Sequence, residues 1–290
     1  MAQTVEQEID ACLHSDQIFE EENFLGRKKA MEAISIVRES RQEEYSGHDI
    51  SDKVLELQER IEGKNNSLGE KYRRILIEGE LSRAEIRTML ERFTTYRKEH
   101  IPASHYTEQN LDLLIDCVFG VDVETTRIPN DRRGMVHLER TPASAVIEFI
   151  DKLNLTGAET LFDLGSGLGH VVYVFQLLTD IHCVGIEIER EYYSTAMNVV
   201  RRMNLSRVRF VNKDVQETEF GDCDIFFMFS PFFGQVLENV LKQIKKLSHR
   251  KPITLCSYGN STPAIGDQDW LYIEDKEMIH PYRAAVFTSK

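Results

Sequence analysis

The sequence predicts an α/β chain: a doubly wound, mostly parallel seven-stranded sheet preceded by an N-terminal all-α region. Three observations carry this. Residues 1 to about 125 show helical spacing of apolar positions, with no strand-like alternation and no fixed-period repeat. From about residue 126, short apolar runs alternate with amphipathic stretches, the order that builds a parallel sheet covered on both faces. The chain then closes on two strand-like runs, Trp270 to Ile273 and Arg283 to Phe287, with no helix between them. The expected domains are therefore a helical region over 1–125 and an α/β domain over 126–290.

Taken in order, Glu6 to Leu13 is a short amphipathic piece. Phe24 to Arg41 follows as a helix with Leu25, Ala30, Ile34 and Ile36 or Val37 on its apolar face. Tyr45-Ser-Gly-His-Asp49 breaks it. Ser51 to Ile61 is the next helix, and Gly63-Lys-Asn-Asn-Ser67 reads as a turn-rich linker. Tyr72 to Ile77 is helical up to Gly79. Ser82-Arg-Ala-Glu85 is a capping box that opens a helix to about Tyr96. Thr107 is placed to cap Glu108 to Val118, and Gly120 stops that helix. Thr141-Pro142 supplies an N-cap with proline at the first helical position, for a helix from Ala143 to Leu153. The helical region holds no chemistry of its own; it is a candidate bundle, partner arm or homodimer surface.

Composition bounds the rest. The chain has 290 residues, enough for one large or two modest domains, and no apolar run reaches the roughly 20 residues of a membrane helix. Its N-terminus lacks a basic start and an apolar core, so a cytoplasmic protein without a membrane partner is expected. Five scattered cysteines without a C-x-x-C pair indicate neither a zinc site nor a disulfide framework, and no metal is expected. A formal net charge of −13 disfavours a long nucleic acid, although a local patch can act on an acidic protein. The basic run Lys242, Lys245, Lys246, His249, Arg250 and Lys251 closes a predicted helix, where cations suit the dipole, and reads first as a solvated face.

The chemistry starts at Thr160-Leu-Phe-Asp163-Leu-Gly165-Ser166-Gly167-Leu-Gly169-His170: strand, tight glycine turn, helix. Glycines let the backbone turn sharply and let a ligand approach it, and the helix start offers free N–H groups. A dinucleotide loop reads G-x-G-x-x-G and cradles a pyrophosphate. Here the spacing is G-x-G-x-G, and Asp163 stands two residues before it. That acid would repel a pyrophosphate and suits a cation. With those residues in view, the chain resembles class I S-adenosylmethionine-dependent methyltransferases, whose cofactor carries a sulfonium and an ammonium and no phosphate. Two more runs follow. Ile181 to Glu187 ends in an acid placed to accept from ribose hydroxyls. Val208 to Val215 carries Asp214, which in this family faces the adenine amino group. The resemblance implies cofactor contacts at Asp163, Gly165, Ser166, Gly167, Gly169, Glu187, Ile188, Asp214, Val215 and Ser230. Leu138-Glu139-Arg140-Thr141-Pro142 followed by the Asp163 loop is similar to the nucleosome-core lysine methyltransferases that lack a SET domain. This adds Glu139 and Thr141 to the cofactor contacts.

Between the sites run a helix from Arg190 to Met203 with Tyr193, Ala196, Met197 and Val200 facing in, a fourth strand over Asp222 to Phe229, a helix over Gln235 to Leu247 and a fifth strand over Pro252 to Tyr258. Ligands of open α/β sheets sit beyond the carboxyl ends of the strands, so Ser230-Pro-Phe-Phe-Gly234 is the leading acceptor-facing loop. It partly resembles the D/N/S-P-P-Y/F motif of amino-group methyltransferases. Phe232 stands where the second proline belongs, which argues against a nucleobase or amide acceptor. Ser230, Phe232, Phe233, Tyr258 and Tyr282 are the acceptor-pocket candidates, with Tyr106 and His137 more remote. The catalytic group is not named, because methyl transfer is an in-line displacement that depends on positioning and needs no strong base. The expected activity is methyl transfer from S-adenosylmethionine to a small-molecule or protein acceptor. The rivals are a silent cofactor-binding scaffold whose helical half holds a partner protein, and a nicotinamide oxidoreductase, against which the loop spacing argues.

Overall fold

The computed structural model describes residues 2–44, 48–94, 109–121 and 138–290. They form two compact units. One is built from α1 (Ala2–Leu13), α2 (Phe24–Glu44), α3 (His48–Glu78), the end of α4 (Arg83–Glu91) and α5 (Asn110–Phe119); the other holds the start of α4 and all that follows residue 120. No described helix is long and apolar enough to cross a membrane.

The helical unit closes on Ile9, Leu13, Ile18, Ala30, Ile34, Val54, Leu57 and Ile61. On α2 the buried side is Phe24, Arg27, Ala30 and Ile34, whereas Ile36 is 59% exposed, so of the two alternatives Val37 turns inward. The expected linker at 63–67 is instead the middle of α3, which runs unbroken for 31 residues. Tertiary contacts override the turn-forming composition there. Leu68 and Tyr72 continue the stripe begun by Val54, Leu57 and Ile61, and Asn65 Oδ1 accepts from Arg27 Nε at 2.6 Å. Gly69 is needed where α3 meets α5, since a Cβ there would lie 2.7 Å from the Cys117 carbonyl oxygen. Arg73 closes α5 by donating to the Val118 and Cys117 carbonyls at 2.8 and 3.0 Å. Phe93 stacks edge-on against Phe24 and Tyr72. The box at the start of α4 forms as expected, with Ser82 N–H and Oγ donating to Glu85 Oε2, but the helix ends at Glu91. The N-cap of α5 is Gln109, paired reciprocally with Asp112. Thr107 and residues 45–47 of the expected break lie outside the described residues, while His48 and Asp49, expected in that break, open α3.

The second unit is a seven-stranded sheet in the order β3-β2-β1-β4-β5-β7-β6. Its strands are β1 (Thr160–Leu164), β2 (His182–Glu187), β3 (Val208–Asn212), β4 (Ile225–Phe229), β5 (Thr254–Tyr258), β6 (Leu271–Tyr272) and β7 (Ala285–Ser289). The first five are parallel; β7 runs antiparallel to β5 and β6. The order reverses between β1 and β4, which opens a crevice beyond their carboxyl ends. The helices are α6 (Ala143–Lys152), α7 (His170–Leu178), α8 (Arg190–Met203), α9 (Gly234–Ser248) and the short α10 (Thr262–Gly266). Pro142 itself is the N-cap of α6, without a side-chain cap, so Thr141 is set free for another contact. On α8 the inward residues are Tyr192, Ala196, Val199 and Met203. Of the expected set Tyr193, Ala196, Met197 and Val200, Ala196 is buried as expected and the other three lie one position out of phase, where apolar residues stand in adjacent pairs.

Candidate active site

The site begins with the turn from β1 into α7. Gly165 and Gly167 both hold positive φ, +83° and +52°. A Cβ on Gly165 would come within 2.4 Å of Pro231 Cβ, and one on Gly167 within 2.6 Å of Leu138 Cδ1. Backbone bonds then seat the loop on β2: Gly165 and Ser166 N–H both donate to the Ile186 carbonyl, at 2.9 and 3.0 Å. Gly167 N–H donates to Glu187 Oε2 and Glu189 N–H to Glu187 Oε1, each at 2.7 Å. The acid that closes β2 is thus also the strut that shapes the loop.

On β1 and this turn, two polar side-chain atoms lack such partners. Asp163 Oδ2 and Ser166 Oγ are buried and accept or donate no bond in the protein. Burial, and then the neighbouring charge of Glu187, push the Asp163 carboxyl up to about 8. Burial also raises Glu187, against the pull of the Glu189 and Gly167 N–H groups. A buried carboxyl next to a second carboxyl, with one oxygen unsatisfied, is completed by a cationic donor.

These groups face a cavity of about 1030 Å³, which Thr141, Ile188, Val215, Ser230, Phe232, Phe233, Tyr258, Tyr282 and Glu139 also line. Thus the structure brings together the expected loop, the end of β2 and the expected acceptor residues. Two expected contacts fall outside the lining. Gly169 is the N-cap of α7 at φ +93°, wedged against Phe210 and Tyr173. Asp214 turns its carboxylate onto Gln216 N–H at 2.8 Å and caps the turn after β3, leaving Lys213 and Val215 to line the cavity. Tyr106 and His137 lie outside the described residues.

At the opposite wall, Ser230 stands at φ +43°, a strained value for a side chain with a Cβ. Its Oγ accepts from Ser261 N–H at 2.8 Å and lies 3.2 Å from Ser261 Oγ. A Cβ on Gly259 would meet that same oxygen at 2.4 Å. The loops after β4 and β5 are thereby latched together. The aromatic wall follows from this latch: Phe229 and Tyr258 rings stand 5.4 Å apart, Phe232 is buried, and Phe233 is 57% exposed at the rim. Burial, with Glu148 and Tyr282 nearby, lifts the Tyr258 hydroxyl to about 12, so it stays protonated at neutral pH. Sequence reasoning missed Tyr192, Lys213, Asn260 and Ser261 in the lining. Asn260 and Ser261 directly follow β5, and the rule that ligands lie beyond strand ends would have found them.

The strand order, the glycine turn after β1 and the acid closing β2 define the class I, Rossmann-like methyltransferase fold. Within it, residues 137–265 match the family described as histone methylation protein DOT1. The residues present fit the cofactor of this fold, S-adenosylmethionine: its ammonium would satisfy the buried Asp163 oxygen, and the cavity that the glycine turn lines leaves room for a ligand. Among solved structures the chain is similar to an RNA methyltransferase from Salinibacter ruber in complex with S-adenosyl-L-homocysteine, at 18% identity over 52% of this chain and 92% of that one, with a TM-score of 0.38. It is also similar to a SAM-dependent methyltransferase from Aquifex aeolicus, at 14% identity, 49% and 88% coverage and a TM-score of 0.40. A precorrin-6y C5,15-methyltransferase from Geobacter metallireducens gives 15% identity, 56% and 96% coverage and a TM-score of 0.39. No curated protein matches the chain.

Proposed function

We propose that this chain is an S-adenosylmethionine-dependent methyltransferase whose acceptor is an amine on a basic protein. The observation that carries the reading is the polarity of the cavity. One end holds the unsatisfied Asp163 and Ser166 atoms, and the other is an aromatic wall with Phe233 at the rim. Bound cofactor supplies an activated methyl on a sulfonium. The chain's own residues would hold it: Asp163 would take the ammonium, the Gly165–Gly167 turn would bound its site, and Glu187, at the end of β2, would be placed to accept from ribose hydroxyls. Phe229, Phe232, Tyr258 and Tyr282 exclude water from the acceptor side and leave it a dry approach, in which aligned reactants gain most from positioning. The family match at 137–265 and the acidic balance of the chain, −13, favour a basic protein over a small molecule. No observation favours the silent-scaffold reading.

The test is in two stages. Calorimetric titration with S-adenosylmethionine and S-adenosylhomocysteine is expected to show micromolar binding that NAD does not compete with and Asp163→Ala removes. Tritium transfer from labelled cofactor to core histones or poly-lysine is then expected. Binding without transfer to either acceptor would overturn the basic-protein assignment while leaving the cofactor site standing.

A further inference from the structure

One cavity collects the unsatisfied polarity of the second unit. Among the described residues, every buried side-chain nitrogen or oxygen of this unit without a hydrogen-bond partner belongs to Asp163, Ser166 or Arg140, and all three residues line the cavity. Asp163 Oδ2 is an acceptor, whereas Arg140 Nε and Nη1 are donors. Arg140 takes part in a further interaction of its own, which uses no hydrogen bond of either nitrogen. As a residue it is only half-buried, so a turn of its long side chain presents both nitrogens to a ligand.

The chain around Arg140 runs against the glycine turn. Leu138, two residues before it, is the side chain that a Cβ on Gly167 would meet at 2.6 Å. Two residues after it, Pro142 caps α6, which packs beside α7. The start of α7 lines the same cavity with His170 and Val171. That helix has no side-chain cap and no acid in its first turn, so nothing in its own sequence neutralises its positive end. The other lysine or arginine of the lining, Lys213, belongs to the chain after β3, where its N–H donates to the Glu187 carbonyl at 3.2 Å. Opposite charges in one cavity would be expected to neutralise each other. Here burial and then Glu187 push the Asp163 carboxyl up, with no offsetting pull from the guanidinium. An acid and a base that face one cavity without pairing suit a ligand that carries both charges, and an amino-acid head carries them on a single carbon.

We propose that Arg140 selects the cofactor by its α-carboxylate, forming with the start of α7 an anion subsite in the cavity whose ammonium subsite is Asp163. The inference rests on the cofactor reading above and deepens it. A guanidinium holds its N–H donors in a rigid fork and stays charged at every working pH, so it recognises a carboxylate by direction as well as by charge. The uncapped start of α7 adds backbone N–H groups of the same polarity. The site then takes the intact amino-acid head and discriminates against the decarboxylated cofactor, whose sulfonium and ammonium are unchanged. That analogue forgoes the carboxylate bonds and leaves the buried Arg140 nitrogens unsatisfied, which is the arrangement that rejects a ligand most strongly.

Calorimetric titration of the full chain with three ligands at one pH tests this: S-adenosylmethionine, its decarboxylated form, and 5′-methylthioadenosine, which lacks the whole head. The parent is expected to bind the first at least about tenfold more tightly than the second, the fold-change of one hydrogen bond between charged groups. Arg140→Met keeps the apolar stem and is expected to bring the first ligand down to the affinity of the second, leaving the other two as in the parent. Arg140→Lys keeps the charge without the fork and is expected to retain part of the preference. Arg140→Gln carries the same expectation as Arg140→Met and replaces it if that variant does not fold. A purely structural role for Arg140 would weaken all three ligands together, and that outcome overturns the proposal. So does a preference that survives whole in the neutral variant. Equal affinity of the parent for the first two ligands rejects the anion subsite alone, whereas binding of neither removes the cofactor reading beneath it.

Discussion

Asp163→Asn isolates the electrostatic strain of the cofactor site. In the free protein the Asp163 carboxyl sits at about 8, against an ordinary 3.8. At ~1.4 kcal/mol per pH unit, ionising it in place costs about 5 to 6 kcal/mol. The sign follows from proton counts. Between the two values the folded state holds a proton that the unfolded chain has lost, so this group's contribution is full below about pH 4, falls as pH rises, and is lost above about 8. Asparagine has no such proton. The stability difference between variant and parent should therefore shift in favour of the variant by roughly 2 kcal/mol between pH 6 and pH 8, whatever its value at either pH. Urea denaturation at both values measures it. The same proton must leave when a cation arrives, so cofactor affinity should fall by up to about tenfold per pH unit below 8. Calorimetry at pH 7 in phosphate and in Tris should report close to one proton released per cofactor bound. Parallel pH dependences of parent and variant, or binding without proton release, would refute the reasoning, because Asp163 would then already be ionised in the free site.

Three further substitutions probe separate parts of the structure. Gly165→Ala should destabilise more than Gly167→Ala: each adds about 1–2 kcal/mol for a left-handed alanine, but the first also presses on Pro231 Cβ, which cannot swing aside as the Leu138 methyl can; thermal unfolding ranks them. Arg27→Met should lose about 3 kcal/mol in urea, since it leaves the Ile18 and Glu20 carbonyls and Asn65 Oδ1 without their donor; a loss below about 1 kcal/mol would show that water replaces it. Ser230→Gly should be more stable than Ser230→Ala by about 1 kcal/mol, because both lose the bond to Ser261 but only glycine relieves the positive φ.

The α/β half was legible because its signals are local and redundant. Each inner parallel strand is a run of buried residues on both faces, so β1, β2, β4 and β5 stand out as apolar blocks at nearly the observed bounds. The glycine turn declares itself because glycine adopts without strain the φ of +83° and +52° it needs. What the sequence does not reveal is how a polar residue divides its bonds. Glu187 and Asp214 stand at equivalent strand ends, yet one braces the cofactor loop from within the cavity and the other caps a turn outside it. That difference depends on which backbone N–H lies within reach.

The long α3 shows the opposite case, a signal present and outweighed. Val54, Leu57, Ile61, Leu68 and Tyr72 keep an unbroken helical period through Gly63-Lys-Asn-Asn-Ser67, with Asn65 at the one polar position of the stripe. Composition alone says turn, since glycine and asparagine each weaken a helix by up to about 1 kcal/mol. Several such penalties are smaller than what the stripe buries, because one leucine-sized side chain taken from water is worth about 1.5–3 kcal/mol. Asn65 then resolves the remaining polarity by accepting from the buried Arg27, whose Nη1 ties down the Ile18 and Glu20 carbonyls. The asparagine that reads as a turn signal is a required partner of a charge 38 residues away. Where apolar period and local composition disagree across a short stretch, the period carries the larger free energy and should decide the assignment.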